Sequence, residues 1–267
     1  MGKPIRSRWV VKAGSNMIVS GGPLLLRSWA HQIAKLRSLF GIEIIWVTSG
    51  AIASAKDRKQ LNKKIFTLPE KQALSAIGQP LIMDLYNLAL QSVGLLGAQV
   101  LLTSDDTKNP TRKKNLVNTL ETLLKWGVTP ILNENDAVVT DEIRFGDNDS
   151  LSAHVAEMIS ADRLVLMTDV NGLYDSDPRQ NQYAKRLHLL KKVTPALLRS
   201  VNKSGGSSNG TGGMFTKLGA ADQAQKAGIE SWLVKGDIPS VLIEIANNKQ
   251  IGTRIPARSN PKKRLKR

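Results

Sequence analysis

Six short apolar runs in this chain each stop at or near a polar or glycine-bearing loop, and segments with helical spacing lie among them. That alternation limits the fold more than any other feature, because strands alternating with helices build a parallel sheet covered on both faces. Trp9-Val10-Val11-Lys12 reads as a first strand, broken by Gly14, and residues 42–47 as a buried strand stopped by Thr48-Ser49-Gly50. Residues 99–102, 129–132, 163–167 and 231–234 read the same way. Leu26, Trp29, Ile33, Leu36 and Phe40 recur at helical spacing, as do Leu116, Leu120, Leu123 and Leu124. Leu151, Val155, Met158 and Ile159 form a third stripe, and Leu218, Ala221, Ala224 and Ala227 a fourth. The expected fold is α/β, a three-layer αβα sandwich with a largely parallel central sheet.

With 267 residues the chain can bury a sizeable core as one large domain or two small ones. It has no run of eighteen apolar residues, so no membrane-spanning helix is expected. The start, MGKPIRSRWVVKAG, lacks the apolar core of a signal peptide, and Arg6 breaks the myristoylation pattern. Without Cys there is no disulfide or thiolate chemistry, which fits a cytoplasmic location. His31, His154 and His188 are scattered, so no His-based metal site is expected.

The net charge of +16 raises nucleic acid as a partner. Seven of those charges lie between Thr253 and the C-terminus: Arg254, Arg258, Lys262, Lys263, Arg264, Lys266 and Arg267. Residues 1–253 are therefore read as the folded domain, and 254–267 as a basic, solvated, disordered tail. The remaining charge of about +9 (16 minus 7) suits an anionic substrate equally well. A nucleic-acid binder would interleave aromatics with its basic residues for stacking, but aromatics are only 4% here and the tail has none. Nucleic acid is therefore an unlikely main partner.

In such folds ligands collect where strand carboxyl ends meet helix N-termini. Five polar loops fall at those places, residues 13–16, 48–53, 133–149, 168–174 and 205–217. Lys12 with Gly14 and Ser15 could hold a phosphate, although a strand ending in Lys-x-Gly is commonplace. The 205–217 loop leads straight into a helix and delivers Thr211, Thr216 and Lys217, a stronger phosphate signal than a plain linker would give. It is not a Walker A loop, and the protein-kinase signatures are absent. The 168–178 stretch, with Thr168, Asp169, Asn171 and Gly172, reads either as a surface turn or as the rim of a nucleoside pocket. Loop 48–53 is either a tight turn or a small-substrate site.

Loop 133–149 holds six acids, three Asn and a single Arg in seventeen residues of a basic chain. Its spacing matches no EF-hand. Asp and carboxamide oxygens suit an α-ammonium group, whereas Lys and N–H groups suit phosphates. The acidic loop and the Lys-bearing glycine loops thus read as halves of one site, for phosphoryl transfer from a nucleotide to a small zwitterion.

The segments VVKAGS, VTSGAIA, EKQALSAIGQ, ILNENDAV, FGDNDSLSA, LMTDVNGLYDSDPR and GTGGMFTKLGAADQAQKAGI together resemble the amino acid kinase family, and within it the glutamate 5-kinases. The likeness runs from about Val10 to Thr253. It implies ATP-dependent phosphorylation of the γ-carboxylate of L-glutamate, the first step of proline biosynthesis, with Mg²⁺ held mainly by the ATP phosphates. Related kinases acting on N-acetylglutamate, aspartate, carbamate or UMP are the alternative. The resemblance assigns catalysis to Lys12, Lys217 and Asp149, with Asp149 orienting the two lysines, and glutamate binding to Ser49, Asp136 and Asn148. It assigns ATP contacts to Lys12, Gly14, Ser15, Thr168, Asp169, Thr211, Gly212, Gly213, Met214, Phe215, Thr216 and Lys217. It further implies proline as feedback inhibitor, a homo-oligomer (dimer or tetramer) and coupling to glutamyl phosphate reductase. The chain departs at Ala13-Gly14-Ser15-Asn16, where Leu-Gly-Thr-Ser or Leu-Gly-Ser-Ser is more usual. It also stops where many relatives continue into a PUA domain.

Overall fold

The structure, a computed structural model, describes residues 7–61, 65–138, 147–203 and 213–258. Its strands are β1 (Ser7–Ala13), β2 (Ile42–Val47), β3 (Gly97–Leu102), β4 (Thr129–Glu134), β5 (Arg163–Thr168), β6 (Leu173–Tyr174), β7 (Arg186–Leu187), β8 (Glu230–Lys235) and β9 (Thr253–Ile255). A seven-stranded sheet runs β3-β4-β2-β1-β5-β8-β9, parallel except for β9, which lies antiparallel to β8. Strands β6 and β7 form a separate antiparallel ribbon. Five of the six apolar runs become inner strands with both faces buried, whereas residues 99–102 fall in β3 at the sheet's edge, where Leu101 is exposed.

The helices are α1 (Ser15–Lys35), α2 (Ala51–Arg58), α3 (Leu68–Gln91), α4 (Ser104–Lys108), α5 (Pro110–Lys125), α6 (Asn148–Met158), α7 (Pro195–Lys203), α8 (Met214–Lys226) and α9 (Val241–Ala246). Helix α1 starts well before the Leu26 stripe, is broken at Gly22-Pro23, and continues into a π-helical turn, Leu36–Phe40. Side chains alternate along β1: Trp9, Val11 and Ala13 enter one core with Leu26, Trp29, Ile82, Tyr86 and Leu242, whereas Val10 enters the other. That second core holds Leu120, Leu151, Val155, Leu218 and Ala221, so α1, α3 and α9 cover one face and α5, α6 and α8 the other. This is the expected three-layer αβα sandwich.

Helix α3 opens with a capping box in which Thr67 and Glu70 satisfy each other's backbone N–H groups. Midway along, Gly78 lies against the backbone of α2's first residue, where an added Cβ would stand 1.8 Å from the Ala51 carbonyl oxygen. Helix α2 follows the 48–50 turn, so this contact seats that turn.

The boundary expected at residue 253 needs correcting. Ile255 is fully buried, the Leu190 N–H donates to the Arg254 carbonyl at 2.9 Å, and the Arg254 N–H donates to the His188 carbonyl at 2.9 Å. Arg258 reaches Asp222 at 3.3 Å. Charge alone suggested a solvated segment, but alternation places the side chains of Thr253 and Ile255 inward and that of Arg254 outward, over the Trp232 ring. The rest of the expected tail, residues 259–267, lies outside the described residues. Ending the chain after Thr253 should therefore cost about 3 kcal/mol or more through loss of Ile255 and the β9 ladder. Ending it after Arg258 should keep that stability. Urea unfolding of both truncations checks this, and equal midpoints would show that β9 contributes nothing.

Candidate active site

Lys12 stands at the carboxyl end of β1, which is bonded to β2 on one side and β5 on the other. Asp147 caps α6 by accepting the Ser150 N–H at 2.7 Å, which sets Asn148 and Asp149 in the first turn of that helix. Gly213 precedes α8, whose first turn carries Thr216 and Lys217. These elements converge on one carboxylate. Asp149 Oδ1 lies 2.7 Å from Lys12 Nζ, and Oδ2 lies 3.2 Å from Lys217 Nζ. The Thr216 hydroxyl donates to Oδ2 at 2.7 Å.

All three charged groups are buried, with Lys12 4%, Lys217 5% and Asp149 0% exposed. Burial pushes the Asp149 pKa up, but Lys12 and Lys217 outweigh it and hold the carboxyl down at about 2. Burial lowers the Lys12 pKa, an effect that Asp149 opposes and Lys217 reinforces. Lys12 and Lys217 share the Asp149 carboxylate, and the Asp147 carboxylate also acts on Lys12. The two lysine heads, held at one place, suit phosphate charge.

Gly14 has an ordinary φ of −73°, and an added Cβ would meet nothing nearer than Met167 O at 3.9 Å and Lys12 Nζ at 4.0 Å. Neither backbone nor packing demands glycine there. A side chain would instead fill the space beside the Lys12 ammonium and the first N–H groups of α1, including that of Ser15, where a phosphate would be cradled. Gly50, at φ +97°, abuts Ser15, with an added Cβ 3.4 Å from its Cα, so the loops after β1 and β2 touch.

A carboxamide network borders this cluster. The Asn148 Nδ2 group, with two hydrogens to give, donates to the Thr48 carbonyl at 2.8 Å and Asn133 Oδ1 at 2.7 Å, with Ser49 Oγ sharing one of them at 3.0 Å. Asn133 Oδ1 also accepts the Glu134 N–H at 3.0 Å, and Asn133 Nδ2 donates to Gln79 Oε1 at 2.7 Å. A carbonyl only accepts and an amide N–H only donates, so the direction of each carboxamide is set. Asn148 Oδ1 and Gln79 Nε2 are left buried without a hydrogen-bond partner among the described residues. Asp136 lies half-buried in the turn after β4.

Thr168 ends β5 and bonds its own neighbour, Oγ1 to Asp169 Oδ1 at 3.0 Å. Thr168 is buried and Asp169 exposed. The following turn is braced by β9, since the Leu173 N–H donates to Thr253 Oγ1 at 2.8 Å. Met214 packs partly into the second core, whereas Phe215 is 43% exposed. Thr211 and Gly212 lie outside the described residues, as does most of the 205–217 loop. Thus Lys12, Asp149, Thr216 and Lys217 come together, and Ser49 joins Asn148. Thr216, expected beside the nucleotide, turns its hydroxyl to Asp149. Gln79 and Asn133 join the Asn148 network but were not singled out by the sequence reading. The available signal was an uncharged amide at a strand end and another on a helix face that is otherwise buried.

The family model described as "Amino acid kinase family" matches residues 7–235. Glutamate 5-kinase of Thermoanaerobacter sp. (strain X514) is 42% identical over 250 residues, covering 92% of this chain and 67% of that protein. Glutamate 5-kinase of Clostridium perfringens (strain 13 / Type A) is 41% identical over 259 residues, covering 94% of this chain and 96% of the relative. Among solved structures, uridylate kinase from Archaeoglobus fulgidus matches with a TM-score of 0.60 at 17% identity, covering 92% of this chain and 99% of the other. That likeness speaks to the fold alone. The glutamate 5-kinase relatives and the length of the family match carry the sequence relationship: the chain belongs to the amino acid kinase family.

Proposed function

We propose that this protein is an ATP-dependent glutamate 5-kinase, which transfers the γ-phosphoryl group of ATP to the γ-carboxylate of L-glutamate in proline biosynthesis. The observation that carries the reading is the buried Lys12–Asp149–Lys217 cluster, with two lysine heads on one carboxylate, beside a carboxamide network that leaves Asn148 Oδ1 as an acceptor. An acceptor suits the α-ammonium group of a free amino acid, and the half-buried Asp136 supplies the counter-charge. A γ-carboxylate oxygen attacks the γ-phosphorus as the bond to the β-phosphate oxygen breaks, giving L-glutamyl 5-phosphate and ADP.

The carboxylate is already ionised, so no general base is needed, and catalysis is positioning plus charge stabilisation. Lys12 and Lys217 meet the charge that spreads over the transferring oxygens, while Asp149 and Thr216 hold the lysines in place. Mg²⁺, carried by the nucleotide's own phosphates, supplies further charge neutralisation. The same reading brings proline as feedback inhibitor, a homo-oligomer and delivery of the reactive acyl phosphate to glutamyl phosphate reductase.

The test is ADP release with L-glutamate, compared with aspartate, N-acetylglutamate, carbamate and UMP. Activity confined to another acceptor would sink the reading. In the same assay, Asp136→Asn should raise the KM for glutamate by roughly tenfold or more, the effect of losing about 1.4 kcal/mol of binding. The KM for ATP should change much less. The reverse pattern would place the loop against the nucleotide.

A further inference from the structure

We infer that Gln79 is a substrate-recognition residue of this site, with its Nε2 group presented as a hydrogen-bond donor to the α-carboxylate of the amino-acid substrate. The inference rests on the glutamate reading above and adds a residue and a role to it.

Gln79 belongs to α3, yet two contacts bring it to the rim of the substrate site. Gly78, its neighbour, lies against the Ala51 carbonyl that immediately follows the Ser49-Gly50 turn. Its own Oε1 accepts from Asn133 Nδ2 at 2.7 Å, at the end of β4. The side chain thus sits at the end of β4, one residue along α3 from the α2 contact, and it is only 6% exposed.

Main-chain groups impose its polarity. The Thr48 carbonyl faces Asn148 Nδ2, and the Glu134 N–H faces Asn133 Oδ1. Asn133 must therefore turn Nδ2 toward Gln79, which must answer with Oε1 and turn Nε2 away. A buried donor with nothing to bond is costly, so proteins rarely retain one without use. Among the described residues the network ends in one donor, Gln79 Nε2, and one acceptor, Asn148 Oδ1. A zwitterion offers the complementary pair. Its ammonium meets Asn148 Oδ1 and its α-carboxylate meets Gln79 Nε2.

Two variants of nearly equal size separate this role from mere support of Asn133. Gln79→Met removes both polar atoms. Gln79→Glu keeps an acceptor for Asn133 Nδ2 but replaces the donor with a carboxylate facing the substrate's own. If Nε2 binds substrate, the KM for L-glutamate should rise about tenfold in Gln79→Met and further still in Gln79→Glu. The KM for ATP and kcat should stay within a few-fold of wild type. If Gln79 only supports Asn133, the order reverses and Gln79→Glu is the milder change, which overturns the inference. A glutamate KM within twofold of wild type in both variants also overturns it, as does a fall in kcat alone. Thermal unfolding of each variant confirms that folded protein is assayed. Should either unfold, Gln79→Asn, which retracts the amide by one methylene, is judged by the same split: glutamate KM raised alone supports the role, and any other pattern overturns it. Wild-type protein that releases no ADP with glutamate defeats the proposed function itself. An active wild type with unaltered variants defeats only this inference.

Discussion

Asp149→Asn should lower turnover by about two orders of magnitude or more, with much smaller effects on the KM for either substrate. The carboxylate touches both lysines. Removing its charge leaves Lys12 and Lys217 repelling each other in a buried site, no longer aimed at the oxygens they serve. Stability should fall too, by about 3–5 kcal/mol, because an uncompensated charge stays buried. The stability difference should depend on pH in a defined direction. The folded-state pKa of Asp149 is depressed to about 2, so its contribution is present above its unfolded-state pKa and is lost as pH falls through that lower value. The gap between wild type and variant should therefore be widest near neutral pH and close in strong acid. Steady-state kinetics and urea unfolding across pH test both parts. Unchanged kcat would show that the ion cluster only stabilises the fold.

Gly78→Ala should lower stability by about 3 kcal/mol, a fall in Tm of roughly 6–12 °C, because the new methyl meets the Ala51 backbone oxygen, not a side chain that can rotate away. Glutamate affinity should weaken with it, since displacing α2 moves the Ser49-Gly50 turn. Gly219→Ala is the control. It lies inside α8, its added Cβ meets nothing within 4 Å, and the exchange should be neutral or stabilising by up to about 1 kcal/mol. Scanning calorimetry on both decides, and equal behaviour would show that the α2–α3 contact yields without cost.

Much of the fold was legible because its information is local. The apolar runs at β1, β2, β4, β5 and β8 had only one buried environment to occupy, and each stripe at α5, α6 and α8 marked a face. Helix α3 was quoted only as a motif. Gly78 and Pro80 break its sequence pattern although the helix runs unbroken, and exposed Ile77 and Leu88 blur the contrast between its faces. Strand β9 is three residues long and sits in a basic segment, so charge masked its alternation. Lys12 at a strand end, Lys217 at a helix start and the acidic 133–149 loop as a whole were readable from their chemistry, whereas the separate roles of Asp136, Asn148 and Asp149 came from the family resemblance. The direction of the Gln79–Asn133–Asn148 chain was not readable, because it follows from Thr48 and Glu134 main-chain groups that only the folded sheet brings to those side chains.

Alternation along β1 has a consequence for how this chain can change over time. Trp9, Val11 and Ala13 point into one core and Val10 into the other, so Lys12 emerges on the same side of the sheet as α6 and α8. Loss of one codon anywhere between Trp9 and Val11 would pull the strand by a residue and send Lys12 to the opposite face, toward α1. No compensating substitution at Asp149 could follow it there. Insertions and deletions in β1 should thus be absent from active descendants of this chain, whereas point substitutions such as Val10→Ile remain open.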